Sequence, residues 1–257
     1  MISVHGRTDV GRRRSLNEDA IFVGDHLFVV CDGMGGHKAG EVASQLALDV
    51  ISAFVRRSAE DAEITWPYGL QPRASFEGNR LRTGIKLANR AVFRKASSAD
   101  DYTGMGTTVA AIMVSRNRPQ FTYANVGDSR IYLIREGVIL QLTRDDSWAN
   151  LSWEASDLDD TARASMKHVL TKAVGAREDV DFEVTDQELS EGDVLLLCSD
   201  GLANMVPDRR ILGIVSAHGA DLAGACDELV ADANAQGGRD NISVILVRYG
   251  AEENRAR

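Results

Sequence analysis

The sequence is poor in the residues that build disulfide frameworks and proline-rich linkers. Of its 257 residues, 3 are cysteine and 4 are proline, and aromatic residues make up only 6%. No apolar run approaches the roughly 18 residues that a transmembrane helix needs. No stretch of altered composition divides the chain, so we expect one domain over residues 1–250, followed by a short polar tail over residues 251–257.

The cysteines and the first residues bear on the cellular location. Cys31, Cys198 and Cys226 lie in apolar stretches and lack the spacing of metal ligands. The segment that begins at Met1 lacks the apolar stretch of a secretory signal. We therefore expect a reduced, cytoplasmic protein without a membrane attachment.

The charge balance is acidic, with 38 acidic against 29 basic residues and a formal net charge of −9. Such a surface argues against binding to nucleic acid or to anionic lipid, because both carry negative charge. It is compatible with a metal site built from carboxylates, although many cytosolic proteins are equally acidic. We expect no nucleic-acid partner, no membrane partner and a monomeric state.

The hydrophobic pattern predicts strands that pair as hairpins and do not alternate one by one with helices. Short turns such as 24–25, 117–119 and 136–137 join neighbouring strands and indicate antiparallel pairing. One-sided apolar stripes predict helices over 40–57, around 81–92, over 209–217 and over 221–235. The expected fold class is α+β, with two central antiparallel sheets sandwiched between layers of helices. The predicted strands are 4–8, 20–23, 27–31, 107–115, 120–125, 130–135, 138–142, 181–188, 194–199 and 242–249.

Aspartates recur where predicted strands end. Asp32-Gly33 and Asp200-Gly201 each follow an apolar strand, while Asp128 and Asp240 lie at the edges of other strands. Each residue taken singly is as readily an ordinary turn aspartate as a ligand, since Asp-Gly and Asp-Asn are common turn dipeptides. Taken together, they indicate oxygen ligands for a hard cation such as Mg²⁺ or Mn²⁺, whereas zinc favours His or Cys.

The order of the motifs carries a resemblance to a known family. The chain contains, in this order, Arg14-x-x-Asn17-Glu18-Asp19, Asp32-Gly33-Met34-Gly35-Gly36-His37, Gly106-Thr107-Thr108, Asn125-Val126-Gly127-Asp128-Ser129-Arg130, Ser199-Asp200-Gly201 and Asp240-Asn241. This series resembles the metal-dependent protein phosphatases of the 2C type, in particular their bacterial branch, from about residue 5 to 248. The two-sheet fold of that family agrees with the pattern above.

The resemblance implies a role for each matched residue. Asp32 would bridge two ions of Mn²⁺ or Mg²⁺, with the carbonyl of Gly33 at the second ion, and Asp200 and Asp240 would hold the first. Asp128 would belong to a third, weaker metal site shared with Asp200.

Around these ligands, Glu18 and Asp19 would fix waters on the metals, and Arg14 would bind the substrate phosphate through its guanidinium fork. The segment over residues 146–178 would correspond to a flap beside the site.

The implied activity is hydrolysis of phosphoserine and phosphothreonine in proteins. A hydroxide that bridges the two ions would attack phosphorus directly, without a phospho-enzyme. The expected partners are phosphorylated proteins, including a bacterial Ser/Thr kinase and its targets.

The sequence departs from the wider pattern at Met34, where animal members carry a histidine as candidate general acid. Met34 cannot donate a proton, which leaves metal-bound water or another group, with His37 a weak candidate.

Three other functions remain open from the residues. A nucleotide site is suggested by the glycines before a helix, although no dinucleotide-binding or Walker motif is matched. A phosphoprotein-binding module without activity would have lost metal ligands, whereas Asp32, Asp200 and Asp240 are all present. Another two-metal hydrolase, such as a nuclease, is disfavoured by the acidic surface.

Overall fold

The computed structural model describes residues 1–35, 39–61, 63–148 and 169–250. Within these ranges, strands form two antiparallel sheets, and helices lie against them. The predicted tail over residues 251–257, the middle of the predicted flap and His37 lie outside the described residues.

The strands and helices follow the predicted pattern closely. The strands are β1 (Ile2–Asp9), β2 (Asp19–Val23), β3 (Leu27–Met34), β4 (Gly106–Thr107), β5 (Val109–Val114), β6 (Gln120–Val126), β7 (Arg130–Arg135), β8 (Val138–Gln141), β9 (Val184–Glu188), β10 (Val194–Cys198) and β11 (Ile242–Tyr249). The helices of the described ranges are α1 (Ala39–Glu60), α2 (Phe76–Ala96), α3 (Asp200–Ala203), α4 (Asp208–His218) and α5 (Leu222–Ala235), and a 3₁₀ turn lies at Asp100–Tyr102. None of the helices in the described ranges combines the length and the apolar character needed to cross a bilayer.

Each sheet is assembled from antiparallel neighbours. The first has the strand order β1-β11-β10-β7-β8, and the second has the order β2-β3-β5-β6-β9, with β4 paired to β3. In the first sheet Leu196 lies between Leu246 of β11 and Tyr132 of β7, so β10 is the central strand. The predicted α+β class with two antiparallel sheets is thereby confirmed.

Side chains that alternate along the strands separate three layers of core. Phe28 faces the core between the sheets, whereas its neighbour Val29 faces the core beneath α1 and α2. The first sheet packs its other face, including Leu196, against α4 and α5. The order of layers is therefore helix, sheet, sheet, helix.

Two strand boundaries differ from the sequence prediction at the place where the site lies. β3 does not end at Asp32 but continues to Met34, because Gly33 and Met34 pair with β4. The strand predicted over 107–115 is divided into β4 and β5 at Thr108, whose backbone N–H donates to the Asp32 carbonyl at 2.8 Å. This cross-strand pairing depends on residues more than 70 positions apart in the chain, which hydrophobic periodicity does not report.

Candidate active site

A cavity of about 860 Å³ brings most of the predicted site residues together. It contains Arg14, Glu18, Asp32, Gly33, Asp128, Asp200 and Asp240, and it is also lined by Met34, Gly35, Thr108, Leu170, Gly201, Asn204, Met205 and Arg239. Asp19 does not line the cavity; its carboxylate accepts a hydrogen bond from Ser199 Oγ at 2.8 Å, with Oδ1 buried.

Both sheets contribute carboxylates to this cavity. Asp32 lies in β3 of the second sheet, and Asp128 lies in the turn between β6 and β7. Asp200 is the first residue of α3, directly after β10, and Asp240 precedes β11. Because β10 and β11 are antiparallel neighbours, Asp200 after the end of β10 and Asp240 before the start of β11 lie at the same end of the first sheet.

Two glycines allow the backbones to approach closely enough to form the site. A Cβ atom at Gly33 would overlap the carbonyl oxygen of Gly40, at the start of α1, and one at Gly201 would overlap the carbonyl oxygen of Asn241. Glycine is therefore required at both positions by space and not by a positive φ.

The carboxylates experience strong burial and mutual repulsion. Burial raises the pKa of Asp32 well above its usual range, and the charges of Asp19 and Asp200 raise it further. Burial followed by the charge of Asp200 raises the pKa of Asp128 to about 7. Burial also raises the pKa of Asp19 to about 7, against hydrogen bonds from Ser243 and Ser199. A cation in the cavity would remove this repulsion.

Unsatisfied oxygens give a second indication that the cavity fits cations. Within the described ranges, the buried Oε1 of Glu18 and the buried Oδ1 of Asp19 have no hydrogen-bond partner. Buried polar oxygens of this kind are costly unless they are paired with hydrogen-bond donors, water or an ion. The donor set consists of oxygens, which suits Mg²⁺ or Mn²⁺.

The carboxylates surround the cavity without forming a closed cage. Among the residues that the structure describes, no three His, Cys, Asp or Glu side chains converge as a ready-made ligand group. Arg14 instead donates from Nη2 to Oδ2 of Asp240 at 2.7 Å, and this contact raises the pKa of Arg14. The arginine predicted to bind phosphate is thus paired with a predicted metal ligand, a contact that the sequence did not suggest.

Three polar side chains that were not assigned a role hold the site residues in place. Thr108 Oγ1 accepts from the Asp32 backbone N–H at 2.9 Å and is itself hydrogen-bonded to Ser129 at 2.7 Å. Asn241 Oδ1 accepts from the Glu18 backbone N–H at 2.8 Å. The signal was present, since Thr108, Ser129 and Asn241 all belong to the motifs, but their partners lie far away in sequence.

A family profile described as Protein phosphatase 2C matches residues 10–243, which include every residue assigned above to the cavity. The chain belongs to this family. It is accordingly a protein phosphatase, as the resemblance of the motifs predicted. The metal roles of the individual residues stay predictions.

Relatives with curated names agree with the family. The chain is 36% identical over 253 residues to the serine/threonine phosphatase stp of Listeria monocytogenes, covering 94% of this chain and 93% of that protein. It is 32% identical to the protein phosphatase PhpP of Streptococcus pneumoniae, covering 96% and 97% of the two chains.

Solved structures share the fold over almost the whole chain. The serine/threonine phosphatase PstP/Ppp of Mycobacterium tuberculosis superposes with a TM-score of 0.81 at 29% identity, covering 97% of this chain and 99% of the other. The catalytic domain of PstP in complex with two manganese ions gives a TM-score of 0.80 at 30% identity, covering 97% and 99%.

Proposed function

We propose that this protein phosphatase hydrolyses phosphoserine and phosphothreonine in proteins at a dinuclear Mn²⁺ or Mg²⁺ centre. The observation that carries the proposal is the cavity itself, in which Asp32, Asp200, Asp240 and Asp128 surround a space that also contains Arg14. The serine/threonine specificity in the names of the relatives and the two manganese ions of PstP support it.

The ligand assignment follows the matched positions. Asp32 would contribute to both ions, with the backbone carbonyl of Gly33, while Asp200 and Asp240 would hold the first. Asp128 would serve a third ion. Burial, together with the charges of neighbouring carboxylates, raises the pKa of Asp32 and of Asp128, which supports these roles.

When bound, two such ions supply a nucleophile by lowering the pKa of water and neutralise the phosphoryl oxygens during in-line displacement. Glu18 and Asp19 would hold water beside the ions through their unpaired oxygens. Met34 lines the cavity, but its thioether has no proton to give, so the leaving serine or threonine oxygen takes its proton from another group.

Arg14 is placed to orient the substrate. Its side chain is half exposed at the cavity, and its bond to Asp240 holds it there. We propose that the guanidinium exchanges Asp240 for two oxygens of the substrate phosphate, because a phosphate dianion offers a better bidentate partner.

We expect Arg14→Ala to lower kcat/KM for a phosphothreonine peptide roughly 10- to 100-fold, because charge-assisted hydrogen bonds to the phosphate are lost. Arg14→Lys should recover only part of the loss, since an ammonium cannot bind in a bidentate way. Steady-state phosphate release measures both variants, with the exposed Arg56→Ala on α1 as control. A wild-type value for Arg14→Ala would contradict the role.

The proposal as a whole is tested by metal dependence. We expect phosphate release from phosphothreonine and phosphoserine peptides in Mn²⁺, loss of release in excess EDTA, and recovery when Mn²⁺ is restored. Mn²⁺ should also raise the melting temperature, because an ion that binds only the folded state stabilises it. Binding of the phosphopeptide without phosphate release in Mn²⁺ or Mg²⁺ would indicate a binding module instead.

We further propose that the enzyme opposes a Ser/Thr kinase, since kinases of this class generate its substrates. The expected outcome is an increase in phosphoserine and phosphothreonine sites when the gene is deleted, measured by phosphoproteomics. An unchanged set of sites would refute this role while leaving the hydrolytic activity intact.

A further inference from the structure

Several exposed arginines line the cavity or lie next to residues that line it, in a protein whose net charge is −9. Arg239 lines the cavity, and Arg12 and Arg13 are exposed on the neighbouring turn. We call Arg12, Arg13 and Arg239 the arginine rim. Of the described residues that line the cavity, two carry a positive charge, Arg14 and Arg239.

The rim is held in place by its backbone. The N–H groups of Arg12 and Arg13 both donate to the carbonyl oxygen of Gly238, at 2.7 and 3.1 Å. Gly238 has a positive φ of 49°, which permits this close approach of the two turns. The side chain of Asn241 ties the same region together by donating to the Val10 carbonyl at 3.0 Å. The backbone of Arg12 and Arg13 is therefore fixed beside Gly238, the residue that precedes Arg239.

The guanidinium groups of the rim are not neutralised by neighbouring acids. In the described part of the chain, no carboxylate forms an ion pair with Arg12, Arg13 or Arg239. Asp9 is attracted to both Arg12 and Arg7, and it already accepts hydrogen bonds from the Gly11 N–H at 2.9 Å and the Asn234 side chain at 3.0 Å. The rim is thus available to an anionic group from outside the molecule.

We propose that the arginine rim binds acidic side chains that flank the phosphorylated residue, and so selects phosphoproteins with Asp or Glu near the phosphoserine or phosphothreonine. This inference rests on the proposed function. Arg239 lines the same cavity as Arg14, so when Arg14 holds the phosphate, the one to three substrate residues on either side, at about 3.3 Å per residue, lie within reach of the rim.

Electrostatics explain why such a rim is useful. The carboxylates of the cavity and the net charge of the protein repel an acidic substrate, whereas a local group of arginines attracts it and favours the orientation in which phosphate enters the cavity. A second phosphate on the substrate would present the same chemistry as a flanking carboxylate.

The test compares two phosphothreonine peptides of equal length, one with Glu and one with Lys at the residues flanking phosphothreonine. With wild-type protein in Mn²⁺, we expect kcat/KM to be roughly tenfold higher for the Glu peptide, and the ratio to approach one as NaCl is raised from about 50 mM to about 500 mM. A third peptide, with phosphoserine as the flanking residue, shows whether a second phosphate is preferred to a carboxylate.

Charge reversal supplies the decisive comparison. In the triple variant Arg12→Glu, Arg13→Glu and Arg239→Glu, the ratio of the two kcat/KM values should reverse in favour of the Lys peptide. In the neutral triple variant Arg12→Gln, Arg13→Gln and Arg239→Gln, the ratio should be close to one. This variant keeps the test decisive if the charge-reversed protein does not fold. A matched triple reversal at the exposed Arg56, Arg116 and Arg118 changes net charge equally and should keep the preference for the Glu peptide.

The outcomes separate the two proposals. Hydrolysis of both peptides with equal kcat/KM, or a ratio that the rim variants leave unchanged, overturns the rim and leaves the phosphatase function standing. An equal change of the ratio in the matched triple overturns the rim in favour of a general charge effect. Absence of hydrolysis of either peptide in Mn²⁺ or Mg²⁺ overturns both proposals.

Discussion

Asp32→Asn protein should lose Mn²⁺-dependent phosphatase activity by at least ~10³-fold in kcat/KM, about 4 kcal/mol of transition-state stabilisation. The amide keeps the size of the side chain but removes the negative charge that would hold both ions. The backbone N–H of residue 32 would still donate to Thr108, so the position of the strand should not change. Phosphate release from a phosphothreonine peptide measures the effect.

The melting temperature of the same variant shows whether activity is lost because the charge is missing or because the protein unfolds. Burial and neighbouring charges raise the pKa of Asp32 in the folded state, so its carboxylate destabilises the metal-free fold at neutral pH, above the unfolded pKa. Removal of that charge should therefore leave the melting temperature of metal-free protein equal to or above that of wild type. Added Mn²⁺ should raise the melting temperature of wild type more than that of the variant.

A matched control lies at the other end of the same strand. Asp25 is an exposed acid in the turn that joins β2 to β3, and Asp25→Asn changes the net charge by the same amount. It should retain wild-type kcat/KM. Wild-type activity in Asp32→Asn protein would sink the proposed metal centre.

Asn241→Ala should lower the free energy of unfolding by about 2–4 kcal/mol, because it leaves three partly buried backbone groups without their hydrogen-bond partner. Asn241 is only 3% exposed, and its side chain donates to the Val10 and Leu16 carbonyls at 3.0 and 2.9 Å. Its Oδ1 also accepts from the Glu18 N–H at 2.8 Å. Urea denaturation with Asn117→Ala, in an exposed turn, as control measures the difference.

The activity of Asn241→Ala should fall as well, even in the folded fraction. The side chain connects the turn before β11 with the segment between β1 and β2, so its loss frees Arg14 and Glu18 from their fixed positions relative to Asp240. A loss of less than about 1 kcal/mol with unchanged kcat/KM would show that other contacts hold the two segments together.

The sequence predicted the sheets well because their signals are local. Short turns such as Glu136-Gly137 join adjacent strands, and Glu136 adopts the positive φ of 50° that this tight connection requires. Alternating side chains such as Phe28 and Val29 then assign each face of a strand to a core. Where a boundary depended on a distant partner, as for the end of β3 at Met34, the prediction stopped too early.

The site residues were named from the order of their motifs, and the structure places Arg14, Glu18, Asp32, Asp128 and Asp240 in one cavity together with Gly33 and Asp200. Asp19 differs, because it lies beneath the cavity with a hydrogen bond from Ser199. The pairing of Arg14 with Asp240 joins residues 226 positions apart and had no counterpart in either motif alone. The position of Arg239 at the cavity was likewise not apparent from the sequence.

The sequence by itself determined the fold class, the family and the set of carboxylates, because hairpin turns, alternating hydrophobic residues and ordered motifs are properties of neighbouring residues. Only the tertiary structure decided which charges share one cavity, which arginine is already paired with an aspartate and which exposed arginines lie in or beside the cavity. Those facts depend on distances between residues of different strands and turns, and electrostatic interactions depend on such distances, not on separation along the chain.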